Sequence, residues 1–433
     1  MWPSPKSIAP SVSVQQFTSD QRPTVLITIL LTGLVTLSMR SFIVSPFYEV
    51  LALLEQALLA FLALFLLYSV IIGFGSQRYK LDLFEIVVVL LGVLPIVGAF
   101  ASQYEYGQPL VHGVLAFKDY YLFVAAYFIY YLLKREVVDI DHLEKALMWS
   151  ALISLFFFYV LSLTTNPAKY ADTIIAGSQS TKGGGVYYRF NMGLIFYGAV
   201  YFFVKAIKTD RVLHLIISML FVAYILFFRL DRTSMVACLF SMGLVWLVTA
   251  SPQYKLKSIL YYGIPGALVI FLITTAFPSI VDRVVVMFWD AISTLIGENK
   301  GAGQAKLRNY EAGIVIRQIQ EHPILGNGRV SNTWVSGAFD HFYRFFYPSD
   351  VGFLGTVFIF GIPGTILLYT QFFLTAFTLW YSKWLKNTFA IALAFYLLVL
   401  FIDSLSNGSL VIFSAQTAIP VMALYFIAKK EAA

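Results

Sequence analysis

The chain has 433 residues, of which 59% are hydrophobic and only 12% are charged, and its mean hydropathy is +0.78. A soluble domain carries about 25% charged residues, so roughly half of the usual charge is missing. This composition excludes a cytosolic enzyme, a nucleic-acid-binding protein and a secreted disulfide-rich domain. The formal net charge of +7 is therefore a signal of membrane orientation and does not indicate nucleic acid as a partner.

Apolar windows long enough to cross a bilayer, about 20 residues each, recur along most of the chain. They predict an all-α polytopic integral membrane protein with twelve transmembrane helices, at 24–39, 47–75, 83–102, 113–133, 143–163, 184–204, 212–228, 233–250, 258–277, 351–380, 388–405 and 409–428. The predicted organisation is an N-terminal tail (1–23), helices one to nine (24–277), a large hydrophilic loop (278–350), helices ten to twelve (351–428) and a C-terminal tail (429–433).

Basic residues mark alternate connections between the windows, for example Arg78, Lys134 and Lys205, and they also mark both ends of the chain. Cytoplasmic loops are enriched in Lys and Arg, so this pattern predicts a multi-pass protein with both termini in the cytoplasm. It places the 278–350 loop on the opposite, outer face of the membrane.

The 278–350 loop contains one predicted amphipathic helix. From Gln304 to Glu321, apolar residues recur at helical spacing, with Val315 and Ile316 assigned to the same face. The dipeptide His322-Pro323 ends the pattern, and the glycines of 326–328 predict a tight turn. We expect this helix to lie over the outer surface of the bundle.

Three arginines stand at the outer ends of predicted helices, where the orientation rule disfavours positive charge. Arg189 follows a triple glycine just inside the sixth window, and Arg229 and Arg232 flank Asp231 in the tight connection between the seventh and eighth. One interpretation is that they are snorkelling anchors, or that Asp231 pairs with them locally. The other is an anionic ligand, because a guanidinium is always charged and holds phosphate oxygens in a bidentate fork.

Other charges lie inside the apolar windows, namely Lys118, Asp119 and Asp403. An ionisable residue near the centre of a bilayer is costly and usually pairs with a neighbouring element. For these residues we favour structural pairing with another helix.

Three stretches resemble the bacterial O-antigen ligase and Wzy-type polysaccharide polymerase superfamily. They are Arg229-Leu-Asp-Arg-Thr-Ser234, the stretch from Arg308-Asn-Tyr-Glu to Pro-Ile-Leu-Gly-Asn-Gly328, and the stretch from Ser349-Asp-Val-Gly to Gly-Ile-Pro-Gly364. They are similar to the family's Ser-Arg turn, its large-loop motif and its Gly-x-x-Gly helix entry, and they occur in the same order. The likeness covers approximately residues 180–370, and the polymerase branch is favoured.

The resemblance implies a substrate in which an oligosaccharide is carried on undecaprenyl diphosphate, at the periplasmic face of the bacterial cytoplasmic (inner) membrane. A polymerase transfers the growing glycan onto the next lipid-linked repeat unit, in exopolysaccharide or O-antigen synthesis. A ligase transfers the finished glycan to lipid A-core. The resemblance implies no cofactor and no metal ion, because the donor carries its own leaving group. It makes a chain-length-regulating co-polymerase a candidate partner, whereas a lipid-linked oligosaccharide flippase is the non-enzyme alternative.

By this resemblance, Arg189, Arg229 and Arg232 bind the diphosphate, and Arg308 is a further candidate from the loop. Negative charge grows on the leaving oxygens as the glycosidic bond breaks, and fixed cations placed there stabilise the transition state.

The acceptor hydroxyl needs a group that takes its proton. Ligases resemble one another in having a His near the end of the large loop, whereas Asp350 stands at about that place here. This departure favours a polymerase with Asp350 as the base, and His341 and Glu311 are the alternatives. A different role for Asp350 is to cap the N-terminus of the tenth helix, and His341 is alternatively a plain loop residue.

Overall fold

The structure is a computed structural model of the chain. It describes residues 21–42, 48–75, 82–164, 179–182, 185–188, 190–229, 232–258, 304–331, 334 and 348–432.

These residues form a bundle of helices whose bounds follow the apolar windows closely. The helices are α1 (Gln21–Ser38), α2 (Tyr48–Gly75), α3 (Leu83–Tyr106), α4 (Leu110–Ala116), α5 (Val124–Lys134), α6 (Ile140–Thr164), α7 (Gly193–Thr209), α8 (Val212–Tyr224), α9 (Arg232–Thr249), α10 (Pro252–Ser258), α11 (Gln304–Glu321), α12 (Phe353–Tyr381), α13 (Thr388–Ser406), α14 (Ser409–Ile412) and α15 (Ser414–Ala432). An antiparallel hairpin of β1 (Gln179–Lys182) and β2 (Gly185–Tyr188) precedes α7.

Several of these helices are suited to a bilayer. Among the described residues, five are long and apolar enough to cross a membrane, at Val50–Ser69, Leu83–Tyr106, Ile140–Thr164, Phe353–Tyr381 and Thr388–Ser406. Shorter apolar helices lie at Thr24–Ser38, Val212–Tyr224 and Thr233–Thr249. Large apolar side chains cover the outer faces of the bundle, as hydrocarbon surroundings require. The chain is therefore a helical membrane-embedded protein, while the count of twelve spans and the orientation stay predictions.

Some windows are less regular than predicted. The sixth window does not begin as a helix in its described part, because Gly185–Tyr188 form the second strand of the β1–β2 hairpin and α7 begins only at Gly193. Arg189 therefore precedes the helix instead of lying inside it. The fourth window is divided by a 3-10 segment, Lys118–Phe123, between α4 and α5. The ninth window lies outside the described residues except for its first position, Ser258, which ends α10.

The surface helix α11 has the predicted bounds, Gln304–Glu321, but its packing face is rotated from the predicted one. Glu311, Ile314 and Val315 are buried, whereas Ile316, which was assigned to the apolar face, is 46% exposed. The helix packs against α12 and against the 3-10 turn that precedes α12.

Residues 322–331, here called the strap, connect α11 to a break in α12. The break is at Gly361, whose φ of 68° lies outside the helical range. The backbone N–H groups of Asn327 and Gly328 donate to the carbonyls of Phe358 and Ile359 at 2.7 and 3.0 Å, and the N–H of Ile362 donates to the Pro323 carbonyl at 2.8 Å. The break leaves backbone groups of α12 without a partner inside the helix, and the strap forms hydrogen bonds with them. In an apolar surrounding, such groups must be hydrogen-bonded.

Glycines allow the strap to approach this closely. A Cβ atom on Gly328 would lie 2.1 Å from the Gly98 carbonyl oxygen of α3, and Gly328 also has a φ of +70°. A Cβ atom on Gly361 would lie 2.1 Å from the Ile324 carbonyl oxygen. Neither position tolerates a side chain unless the strap moves away from the bundle.

We expect Gly328→Ala to destabilise the protein, because the added methyl group combines a backbone clash with a strained left-handed conformation that alone costs about 1 kcal/mol or more. The measurement is the midpoint of thermal unfolding in detergent. Gly313→Ala is the control, since no atom of the described residues lies within 4 Å of that Cβ position and the residue is within α11. Equal midpoints for the two variants would mean that the strap does not depend on this contact.

Candidate functional site

A cluster of charged side chains lies at one end of the bundle, where α1 and α3 end and α7 and α15 begin. Arg40 forms ion pairs with Glu55 of α2, from Nε to Oε2 at 3.1 Å, and with Asp119, from Nη1 to Oδ2 at 2.8 Å. The side chains of Arg40, Glu55 and Asp119 are only 11%, 9% and 16% exposed. We call these three residues the Arg40 cluster.

Local backbone geometry places the cluster. Arg40 follows the last turn of α1 and adopts a left-handed conformation, with φ of 55°, which is unfavourable for a residue other than glycine. Asp119 lies in the 3-10 segment between α4 and α5, where the helix is interrupted. Each irregular backbone position thus carries one partner of a charge pair. The sequence analysis favoured structural pairing for Asp119 but did not identify Arg40 as the partner.

A polar network links the Arg40 cluster to the start of α7. The side-chain amides of Asn191 and Gln416 both donate to the carbonyl of Met39, and Gln416 also donates to Asn191. Gly193 permits this contact, since a Cβ atom there would lie 2.3 Å from the Gln416 side chain. Arg189 stands two residues before Asn191 in the chain but lies outside the described residues.

A second polar cluster connects α9 with the end of α13. The Ser234 hydroxyl and the Asn407 amide donate to Oδ1 of Asp403 at 2.5 and 2.9 Å, and Asp403 is 7% exposed. Ser234 lies in the first turn of α9, whose first residue is Arg232. The structural pairing that we predicted for Asp403 is therefore confirmed.

For the two arginines of the connection between α8 and α9, Arg229 and Arg232, the structure describes only the backbone positions. Arg229 ends a π-helical turn, Ile225–Arg229, that β2 contacts, and Arg232 begins α9 directly after the undescribed residues 230 and 231. The tight connection predicted from the sequence is confirmed, whereas the side chains of both arginines are outside what the structure describes.

Asp350 lies in an exposed 3-10 turn, Pro348–Val351. The N-cap residue of α12 is Gly352, whereas Asp350 lies in the 3-10 turn that precedes it. Gly352 has a φ of +59° and packs so closely against α13 that a Cβ atom would lie 2.4 Å from the Leu405 carbonyl oxygen. The turn that carries Asp350 is therefore adjacent to the end of α13, where Asp403 contacts α9.

The remaining candidates are less well placed or less fully described. Glu311 is 2% exposed on the packed face of α11, so it is a poor candidate for a base that must meet a substrate. Arg308 lies in α11 but its side chain is not described, and His341 lies outside the described residues. Sequence reasoning thus identified two elements that converge, the start of α9 with Arg232 and the entry to α12 with Asp350.

Sequence reasoning missed the pairing of Arg40 with Glu55 and Asp119, and it missed Arg329 altogether. Arg329 lies at the end of the strap, where its carbonyl accepts from the side chain of Gln108 at 3.2 Å. A usable signal existed, because Glu55 is a carboxylate within an apolar window and needs a partner. The identity of that partner depends on tertiary packing and cannot be obtained from spacing.

No protein-family model matches the chain, and no curated protein matches it in sequence. The class of the protein is therefore defined by its fold and its polar clusters alone: it is a helical membrane-embedded protein with paired, poorly exposed charges at the ends of its bundle.

We expect Arg40→Gln to destabilise the protein strongly, because it leaves two poorly exposed carboxylates without their cation. Breaking a buried ion pair on one side typically costs 3–5 kcal/mol, which is about the upper range for one substitution. Arg40→Lys keeps the charge but cannot hold two carboxylates in the same fork, so an intermediate loss is expected.

Thermal unfolding in detergent is again the measurement, with Arg211→Gln as the control. Arg211 is exposed at the start of α8. If Arg40→Gln unfolds at the same temperature as Arg211→Gln, the Arg40 cluster does not hold α1, α2 and the α4–α5 interruption together.

Proposed function

We propose that the protein is a polysaccharide polymerase, a metal-independent membrane glycosyltransferase. It transfers a growing glycan from undecaprenyl diphosphate onto the next lipid-linked repeat unit at the periplasmic face, in exopolysaccharide or O-antigen synthesis. The observation that supports this proposal most directly is that two separately predicted site elements, the start of α9 with Arg232 and the turn with Asp350, both pack against the end of α13.

The proposed chemistry needs fixed positive charge and a proton acceptor in one place. Arg189, Arg229 and Arg232 receive the diphosphate and stabilise the charge that develops on its oxygens. The glycosidic bond from the donor sugar to the diphosphate breaks, and the acceptor hydroxyl forms the new bond to that sugar. Asp350 takes the proton of this hydroxyl, and its exposure leaves it accessible to an acceptor.

A lipid-linked oligosaccharide flippase is the second candidate, because it would bind the same anionic lipid. Broken helices, as at the α4–α5 interruption and at Gly361 in α12, are a recurrent feature of transporters. Here, however, the strap fills the break in α12 with backbone hydrogen bonds, which favours a static role for that break. An O-antigen ligase differs from the polymerase only in its acceptor, lipid A-core.

The decisive experiment incubates the purified protein with a lipid-linked repeat unit alone, and the products are resolved on a gel. We expect a ladder spaced by one repeat unit. A product that forms only after lipid A-core is added would replace the polymerase with the ligase. Transport of the substrate across vesicles without any new bond would replace it with the flippase.

Arg232→Ala and Arg189→Ala are each expected to reduce ladder formation by about 100-fold or more, the usual scale for losing a group that stabilises transition-state charge. Membrane insertion should be unchanged. Arg211→Ala, which removes an exposed arginine at the start of α8, is the control and should retain full activity. A normal ladder from either variant would remove that arginine from the diphosphate site.

Asp350→Asn is expected to slow polymerisation by about 100-fold, the lower range for general base catalysis, with little change in thermal stability. The neutral amide keeps the shape of the carboxylate but cannot accept the proton. Asp210→Asn, at an exposed loop position after α7, is the matched control. Unchanged kcat in Asp350→Asn would exclude Asp350 as the base.

A further inference from the structure

The strap delivers Arg329 to the Arg40 cluster. Gly328 packs on α3 at Gly98, and the carbonyl of Arg329 is held by Gln108, in the connection from α3 to α4. Gln108 also accepts from the Ser331 N–H at 2.7 Å, so the strap is fixed on both sides of Arg329. Within the described residues Arg329 forms no ion pair with Asp119, but the Asp119 carboxylate and the Arg40 guanidinium both act electrostatically on its charge.

Arg329 and Asp119 each retain one polar atom that the cluster does not use. Nη1 of Arg329 and Oδ1 of Asp119 are both shielded from solvent, and neither has a hydrogen-bond partner within the described part of the chain. Arg40, by contrast, uses Nε and Nη1 on its two carboxylates. Within the described residues, Arg329 therefore offers one unused cationic donor and Asp119 offers one unused anionic acceptor.

The electrostatic position of Arg329 is unfavourable as it stands. Burial holds the pKa of its guanidinium below the usual range, with the Asp119 carboxylate opposing this effect and Arg40 adding to it. Arg329 is partly exposed as a residue and the Asp119 side chain is 16% exposed, while Nη1 of Arg329 and Oδ1 of Asp119 lie beneath the surface, so a ligand reaches these two atoms only by displacing the groups that cover them.

We propose that Arg329 and Asp119 form a subsite for an anionic sugar, that is, a sugar with a negatively charged oxygen group beside a free hydroxyl. The guanidinium of Arg329 would hold the anionic oxygens, because its Nη1 is a buried cationic donor with no hydrogen-bond partner among the described residues. Oδ1 of Asp119 would accept from the neighbouring hydroxyl, while Oδ2 stays with Arg40. The assignment of a sugar rests on the proposed function, whereas the anion-plus-hydroxyl chemistry rests on the cluster itself.

Two sources supply this chemistry, a sugar carboxylate of the repeat unit and the glycosyl phosphate at its lipid-linked end. Isothermal titration calorimetry of the purified full chain in detergent distinguishes them, with glucuronate, glucose 1-phosphate, glucose and inorganic phosphate as separate probes. We expect glucuronate or glucose 1-phosphate to bind more tightly than both glucose and inorganic phosphate. The probe that binds identifies the source.

Variants test the two residues separately. Arg329→Gln should weaken binding of the anionic sugar by about 10-fold or more, as expected for losing a charge-assisted hydrogen bond. Asp119→Asn should reduce the affinity for the anionic sugar to that expected for an anion that makes no hydroxyl contact with residue 119. Arg317→Gln, on the exposed face of α11, is the matched control and should bind as the unmodified protein does.

The proposal is overturned if none of the probes binds, if the four bind equally, or if Arg329→Gln binds like Arg317→Gln. Asp119→Asn also loses part of an ion pair, so its effect on binding has two causes. Arg329→Gln leaves the three residues of the Arg40 cluster unchanged, and its binding result therefore tests the subsite by itself. Binding of the probes does not require polymerisation, so the calorimetric result is independent of whether the ladder forms. A ladder without Arg329-dependent binding refutes only this subsite, and binding without a ladder refutes only the polymerase.

Discussion

A charged side chain that is buried in this bundle needs a partner of opposite charge, and Arg40 provides the main example. One guanidinium holds two carboxylates, from α2 and from the interruption between α4 and α5. Without it, either carboxylate would be an uncompensated charge in an apolar surrounding, which is among the most costly arrangements in a protein. Helix α2 illustrates the dependence, because most of its surface faces outward and Glu55 is buried beside Arg40.

The same constraint applies to backbone groups, and it explains the strap. A helix that breaks at Gly361 leaves carbonyl groups without donors, and the strap supplies donors from Asn327 and Gly328. Side chains reinforce the contact, since the Tyr106 hydroxyl donates to Asn327 at 2.9 Å and His322 lies 3.2 Å from Glu105. The break and the strap therefore depend on each other. Through this dependence, α11 and the strap acquire a fixed position against α12.

The sequence predicted the helices well because each one needs a long apolar stretch, and such stretches are visible in composition. The bounds of α11 were also predictable, since His322-Pro323 ends a helix by local chemistry. The hairpin before α7 was missed because hydropathy does not distinguish a glycine-rich turn from a helix start. The partners of Arg40 were missed for a different reason: they come from three separate segments, and only packing brings them together. Asp403 shows the limit, because its need for a partner was predictable but Ser234 as that partner was not.

At the opposite end of the bundle, the charged side chains pair with one another. Asp82 caps α3 in a reciprocal capping box with Glu85, and Lys134 pairs with both carboxylates while Lys429 pairs with Asp82. Burial by itself would raise the pKa of Asp82, but hydrogen bonds from Tyr130, from the Glu85 backbone and from Lys429 outweigh it and lower the pKa. The charges of this group are thus committed to one another. At the strap end, a donor of Arg329 and an acceptor of Asp119 stay uncommitted within the described residues, although leaving them so costs free energy. That asymmetry between the two ends is the physical reason to seek ligand chemistry under the strap.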